Sequence, residues 1–110
     1  METTKDILLQ ISKNIVELQK VILCNNDIIY IYEADMEKIK SKYKYDIEQD
    51  KQYSNKEKRE YALELKLSTD NEYMEKLDKA KKLSLDIKLA EIQYKHLKRV
   101  IAIEIAFKEE

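Results

Sequence analysis

Two side chains in this chain could act as nucleophile or base, and each occurs once: Cys24 and His96. A Cys–His pair needs the two groups in contact, inside a cleft that also offers donors to an oxyanion. If residues 4–50 and 70–108 form two long helices folded back near residue 60, Cys24 and His96 come roughly level. Even so, the pattern around them reads as a core cysteine and a boundary histidine. Metal chemistry is no better served. Di-iron bundles place Glu-x-x-His pairs on facing helices, whereas Glu91 and His96 are five apart and no Glu-x-x-His occurs. The acids instead alternate with lysines at helical spacing, as in Glu72–Lys76, Glu75–Lys79 and Asp78–Lys82. Such pairs are solvated ladders of modest worth. With no glycine in the chain, phosphate-cradling loops and nucleophile elbows are excluded as well. The expectation is a non-enzymatic protein with no catalytic, metal-binding or cofactor-binding residues: a protein-binding module, or alternatively a nucleic-acid accessory protein using residues 38–59 or a purely structural coiled-coil subunit.

Two further clusters suit binding. The first is basic with interleaved aromatics: Lys38, Lys40, Lys42 and Lys44 around Tyr43 and Tyr45, then Lys51, Lys56, Lys58 and Arg59. Lys40, Lys42, Lys44, Lys56 and Arg59 are the nucleic-acid candidates, because cations hold phosphates and tyrosines stack on bases. Glu37, Asp46, Glu48 and Asp50 dilute the charge, however, and Tyr43 falls on an apolar seam. A solvated helix end is the simpler reading. The second cluster is Tyr53, Lys56, Arg59 and Tyr61 on the segment that must join the long helices. Tyr and Arg carry much of the energy at protein interfaces, so these four are the candidate partner-binding residues. The chain holds 8 Tyr against 1 Phe and no Trp, a balance that favours boundaries and interfaces over a sealed core.

The elements that would position these residues follow from composition. A chain of 110 residues ordinarily carries roughly 8 Gly and 5 Pro; this one carries neither. Tight turns, bulges and glycine caps lose their usual residues, and long helices remain. The mixture of 44% hydrophobic and 39% charged residues is too apolar for disorder and typical of coiled coils. From Thr3, with Asp6 over the first turn, apolar residues recur at steps of three and four: Leu8, Ile11, Ile15, Leu18, Ile22, Ile29, Tyr32, Met36, Ile39 and Tyr43. Asn25 interrupts this seam at a core position, where an amide can set register. A helix unbroken to about residue 50 would be roughly 70 Å long.

Polar clusters mark the breaks. Ser54 with Glu57, and Thr69 with Glu72, have the spacing of capping boxes. They place a short helix at about 55–67 and a second long one at about 70–108. That last helix has two apolar faces: Tyr73, Leu77, Ala80, Leu83, Ile87, Ala90, Tyr94, Leu97 and Ile101 on one, Leu85, Leu89, Ile92, His96 and Ile103 on the other. The first helix likewise adds Leu9, Val16, Leu23 and Tyr30 beside its seam. The expected fold is a single all-α domain, an antiparallel coiled-coil-like hairpin with a short connecting helix. Its extra apolar faces ask for a second copy and a four-helix core, with Ile15, Ile22, Asn25 and Ile29 as the self-association residues, or for a foreign helix.

The net charge of −1 conceals an uneven distribution. Residues 1–37 carry three Lys against seven acids, residues 38–66 nine basic groups against six acids, and residues 67–110 nine of each. This is not basic enough to imply nucleic acid from charge alone. A lone cysteine, an acidic start and no apolar stretch longer than 28–32 give the expectation of a cytoplasmic protein without a leader or a membrane span.

The stretch Ser54-Asn55-Lys56-Glu57-Lys58-Arg59-Glu60-Tyr61-Ala62, continuing to Thr69-Asp70-Asn71-Glu72-Tyr73, resembles a pattern in small uncharacterised helical proteins of phages and mobile elements of low-GC Gram-positive bacteria. Those proteins also look like a long helix, a Ser-Asn-x-x-x-Arg turn and a second long helix. The resemblance covers about 20 residues and supplies no catalytic residue. It implies a small accessory protein acting on a host or phage macromolecule in the host cytosol, for instance as an inhibitor of a defence complex.

Overall fold

Without glycine or proline to stop them, the helices run until a polar side chain captures the backbone. The computed structural model describes residues 3–109, leaving Met1, Glu2 and Glu110 outside. It is an all-α helical hairpin of three elements: α1 (Thr4–Gln49), the short connecting helix α2 (Lys56–Thr69) and α3 (Asn71–Glu109). No described residue has positive φ, so every break is made by asparagine, aspartate or threonine in ordinary backbone regions.

At the start of α1, the Thr3 hydroxyl accepts from the Asp6 N–H and the Asp6 carboxylate from the Thr3 N–H, both at 3.2 Å. This is a reciprocal cap that also sets an anion against the positive helix end. After α1, the Asp50 carboxylate accepts from the Gln52 N–H (2.9 Å) and the Asp50 carbonyl from the Tyr53 N–H (3.2 Å), closing a turn that needs no glycine.

The next two caps each lie one residue beyond the positions expected from the capping-box pattern. Asn55, not Ser54, begins α2: its backbone is extended (φ −128°, ψ 167°) and its side chain accepts from the Lys58 N–H at 2.8 Å. Asp70, not Thr69, begins α3 by accepting from the Tyr73 N–H at 2.8 Å. Thr69 is still helical, and its hydroxyl donates back to the Leu65 and Lys66 carbonyls. Asp70 is thus the single residue between α2 and α3, ending one helix through its own N–H to the Leu67 carbonyl and opening the other through its side chain.

The chain divides into two compact units, Met1–Asp27 with Leu83–Glu110, and Ile28–Lys82. In the first, α1 and α3 meet along the expected seam. Ile11, Ile87 and Ala90 are buried, and Ile15, Leu18, Ile22, Tyr94 and Leu97 are half-buried beside them. In the second, Ile47, Ala62 and Ala80 are buried among half-buried Ile39, Tyr43, Leu63 and Leu77. Ile47, only 2% exposed, is the most deeply buried of the core residues. It extends the α1 seam one turn beyond Tyr43, where the sequence reading stopped.

Candidate functional site

The first unit has apolar surface that its own helices do not cover. On α1, Leu9, Val16 and Leu23 recur at intervals of seven, and Leu23 is 64% exposed. On α3, Leu85, Leu89, Ile92 and Ile103 are exposed, with Ile92 at 65% and Phe107 at 70%. Seven-residue spacing puts the α1 set on one stripe, and steps of four, three and eleven do the same for Leu85, Leu89, Ile92 and Ile103 on α3. The α3 stripe is the second face expected from the sequence. An open groove runs between the helices here, lined by Leu18 and Val21 from α1 and by Ile92, His96 and Leu97 from α3, with Asn14, Glu17 and Gln93 at its edges. Among the described residues, one side-chain hydrogen bond crosses this unit, from the Gln19 amide to the Tyr94 hydroxyl at 3.5 Å, and the Lys98 ammonium lies 5.2 Å from the Tyr94 ring centre.

The Gln19–Tyr94 bond also sets the register. Running antiparallel from it, Glu17 lies level with His96 and Cys24 level with Leu89. Cys24 and His96 are therefore two turns apart, about 10 Å along the axis, and do not come level. Cys24 is exposed. The residues expected to drive self-association are partly covered within the single chain. Ile15, Ile22 and Asn25 are half-buried in the first unit, and Ile29 is half-buried in the second. The exposed rows are a separate set.

The second unit is held by polar contacts. Lys76, on α3, donates to Asp35 of α1 at 3.0 Å and to Glu72 one turn back at 3.1 Å. Both bonds hold its ammonium charged and raise its pKa above the ordinary lysine value, the Asp35 bond most. The Tyr43 hydroxyl donates to the Asp70 carboxylate, the group that also caps α3. This bond is the first cause of two opposite shifts: the Tyr43 phenol is pushed above its ordinary value and the Asp70 carboxyl below its own. Lys66 of α2 sits 5.7 Å from the Tyr43 ring centre. Tyr43 therefore joins all three helices, and its raised pKa keeps it a neutral phenol rather than a nucleophile. The sequence reading missed this joint. Tyr43 and Asp70 are 27 residues apart, and only the observation that Tyr43 closes the seam pointed towards it.

The connector cluster is only partly assembled. Arg59 donates to the Tyr53 carbonyl (3.2 Å) and the Ser54 carbonyl (3.5 Å), so its guanidinium clasps the turn. Tyr53 is half-buried, whereas Tyr61 is 70% exposed. Lys56 pairs with Glu60 at 3.8 Å, an exposed pair of little energetic weight. Lys56 and Arg59 line one open groove with Lys44, Glu48 and Glu60 over Ile47 and Leu63; Tyr53 and Tyr61 do not line it. The other nucleic-acid candidates scatter. Residues two apart on a helix point about 200° apart, so Lys40 and Lys44 fall on one side of α1 and Lys42 on the other. Lys40 lines a different groove with Glu33, Met36, Glu37 and Tyr73.

Among the described residues, no group of three or more His, Cys, Asp or Glu could hold a metal ion, and no helix is long and apolar enough to cross a membrane. No family model matches the chain, and no curated protein or solved structure is significantly similar to it.

Proposed function

We propose that this chain is a non-enzymatic protein-binding module whose docking surface is the exposed apolar face of the first unit. The observation that carries this reading is the stripe Leu85, Leu89, Ile92 and Ile103, which remains in solvent while the seam beside it is covered. Exposed apolar patches of this kind mark protein interfaces. The connector end is a second contact, offering Tyr61 and the rim of Lys56 and Arg59. The likeness of residues 54–73 to small helical phage proteins supports a setting in the host cytosol. There the module would act as an accessory factor that occupies, and so inhibits, a host or defence complex.

Affinity capture with the whole chain from a low-GC Gram-positive host tests the reading. A protein retained by the wild type should be lost when Leu89 and Ile103 are both changed to Lys, with helical circular dichroism unchanged. Equal capture by both forms would overturn the assignment of the face. Changing Tyr53, Arg59 and Tyr61 to Ala should weaken capture less.

A second reading rests on Lys44, Lys56 and Arg59 sharing one groove: a nucleic-acid accessory protein. Glu48 and Glu60 line the same groove, and Lys40 lines a different one, so this reading ranks below the first. A mobility shift at low salt that disappears when Lys44, Lys56 and Arg59 become Glu would restore it.

A further inference from the structure

Resting on the protein-binding reading, we infer that the partner of the α3 stripe is an acidic amphipathic helix of another protein. Its apolar row sits on Leu85, Leu89, Ile92 and Ile103, and a row of Asp or Glu lies beside Lys88, Lys95 and Arg99.

The stripe carries cations along one edge and no acid within it. At about 100° per residue, Leu89, Ile92, His96 and Ile103 fall within about 40° of Leu85 on the α3 surface. Arg99, Lys88 and Lys95 lie about 40–80° to one side of Leu85, and all three are exposed. Between Leu83 and Phe107 the acids are Asp86, Glu91 and Glu104, each about 100° or more from Leu85. Glu91 is the nearest of them to the cation row. Even so, among the described residues none of the three cations has an ion-pair partner. The other edge of the stripe is the groove against α1, where Glu17 is paired with Lys20 at 3.4 Å.

Width and charge together select the occupant. An apolar row this narrow has the width of a coiled-coil seam, which a single helix covers. A lipid surface suits a helix with one broad apolar face instead. Lys88 and Lys95 are seven residues apart and Arg99 four further on, so acids at helical spacing on the partner meet them in turn. Flanking charges of this kind set partner choice in helical assemblies. A second copy supplies no such match. Its exposed α1 row of Leu9, Val16 and Leu23 has Lys13 and Lys20 beside it. Laying α3 antiparallel on α3 brings the Lys88 and Lys95 row against its own copy. Either pairing sets cations against cations.

The probe is a synthetic helical peptide with Leu at the heptad a and d positions and Glu at e and g. A second peptide carries Lys in place of Glu, and each is titrated with the full chain by fluorescence anisotropy. The Glu peptide should bind at least about tenfold more tightly than the Lys peptide, and should weaken as salt rises. Lys88→Glu with Lys95→Glu should reverse the preference. Ile92→Glu should weaken the Glu peptide more than about 100-fold, because it buries an unpaired charge among like charges. All three positions are exposed, so circular dichroism should stay helical. Leu65→Lys, an exposed site in the second unit, should change nothing. Equal binding of the two peptides, or a preference that survives Lys88→Glu with Lys95→Glu, overturns the inference. So does binding of phosphatidylserine vesicles in place of the Glu peptide, which gives the stripe to lipid. A dimer in sedimentation equilibrium that Ile92→Glu dissociates gives it to a second copy and also overturns the inference. If neither peptide binds while capture of a host protein still depends on Leu89 and Ile103, the acidic helix alone falls and the protein-binding reading stands. If the Glu peptide binds as expected while capture is indifferent to Leu89 and Ile103, that reading falls instead.

Discussion

The two units are built from the same two long helices and solve the same packing problem differently. In Ile28–Lys82, a third helix covers part of the seam, and polar side chains lock it: Lys76 on Asp35 and Glu72, Tyr43 on Asp70, Lys66 over the Tyr43 ring. In the unit formed by Met1–Asp27 and Leu83–Glu110, two helices carry more apolar rows than each can hide against the other, and the rows at Leu23, Ile92 and Phe107 stay wet. The difference is one of geometry. A helix packed against one neighbour covers a single stripe, and covering two requires a second neighbour. In the second unit, α2 is that neighbour. In the first, the chain has no third helix to offer.

The largest effect should come from removing the deepest side chain of the locked unit. Ile47→Ala should lower unfolding stability by about 2–4 kcal/mol in a urea titration followed by circular dichroism. Ile92→Ala, read at concentrations too low for assembly, should change it by less than about 0.5 kcal/mol. Equal losses at the two positions would erase the contrast between a covered core and an uncovered face.

Next in size is the pH response of the locked unit. Asp70 has its pKa lowered, first by the Tyr43 hydroxyl and then by the Tyr73 N–H. Its contribution to stability is therefore present above the ordinary carboxylate range and is lost as pH falls through the depressed value. Tyr43 and Lys76 have theirs raised, so their contributions are present at neutral pH and are lost as pH climbs beyond about 10. A thermal melt of the wild type should lose stability at both extremes. Tyr43→Phe should flatten the acid limb, because the Asp70 carboxylate then loses the donor that depresses it. An unchanged acid limb in Tyr43→Phe would mean that the Tyr43–Asp70 bond does not join the helices in solution.

The smallest effect should be at the cap of α2. Asn55→Ala should lower stability by about 1 kcal/mol, whereas Ser54→Ala should do almost nothing. The reverse order would put the helix start back at Ser54.

That last contrast shows where a sequence is legible. The absence of glycine and proline, with apolar residues at steps of three and four, is enough for the helices and their seam. Both facts are local, and they recur over many turns. The caps were displaced by one residue because Ser54 and Asn55, or Thr69 and Asp70, are adjacent polar residues with similar capping chemistry. Only the backbone angles decide between them. The two-faced character of α3 was also legible in Leu85, Leu89 and Ile92. Which face its own chain would cover was not, because periodicity assigns residues to rows and says nothing about neighbours. The same limit leaves open whether the exposed part of half-buried Ile15, Ile22 and Asn25, read as self-association residues, is covered by another copy. The Tyr43–Asp70 joint was invisible for a different reason: it depends on the register between helices, which is set by contacts along their whole length.

Central here is the contrast between a core around Ile47 that α2 helps to close and an apolar face of the first unit that its own helices leave open. Hydrogen–deuterium exchange of the wild-type chain, read by mass spectrometry with and without the Glu-bearing helical peptide, tests it most directly. Exchange in residues 85–107 should slow when the peptide is added, while residues 35–76 should be unchanged. Protection that rises in residues 35–76, or that changes nowhere, would contradict it.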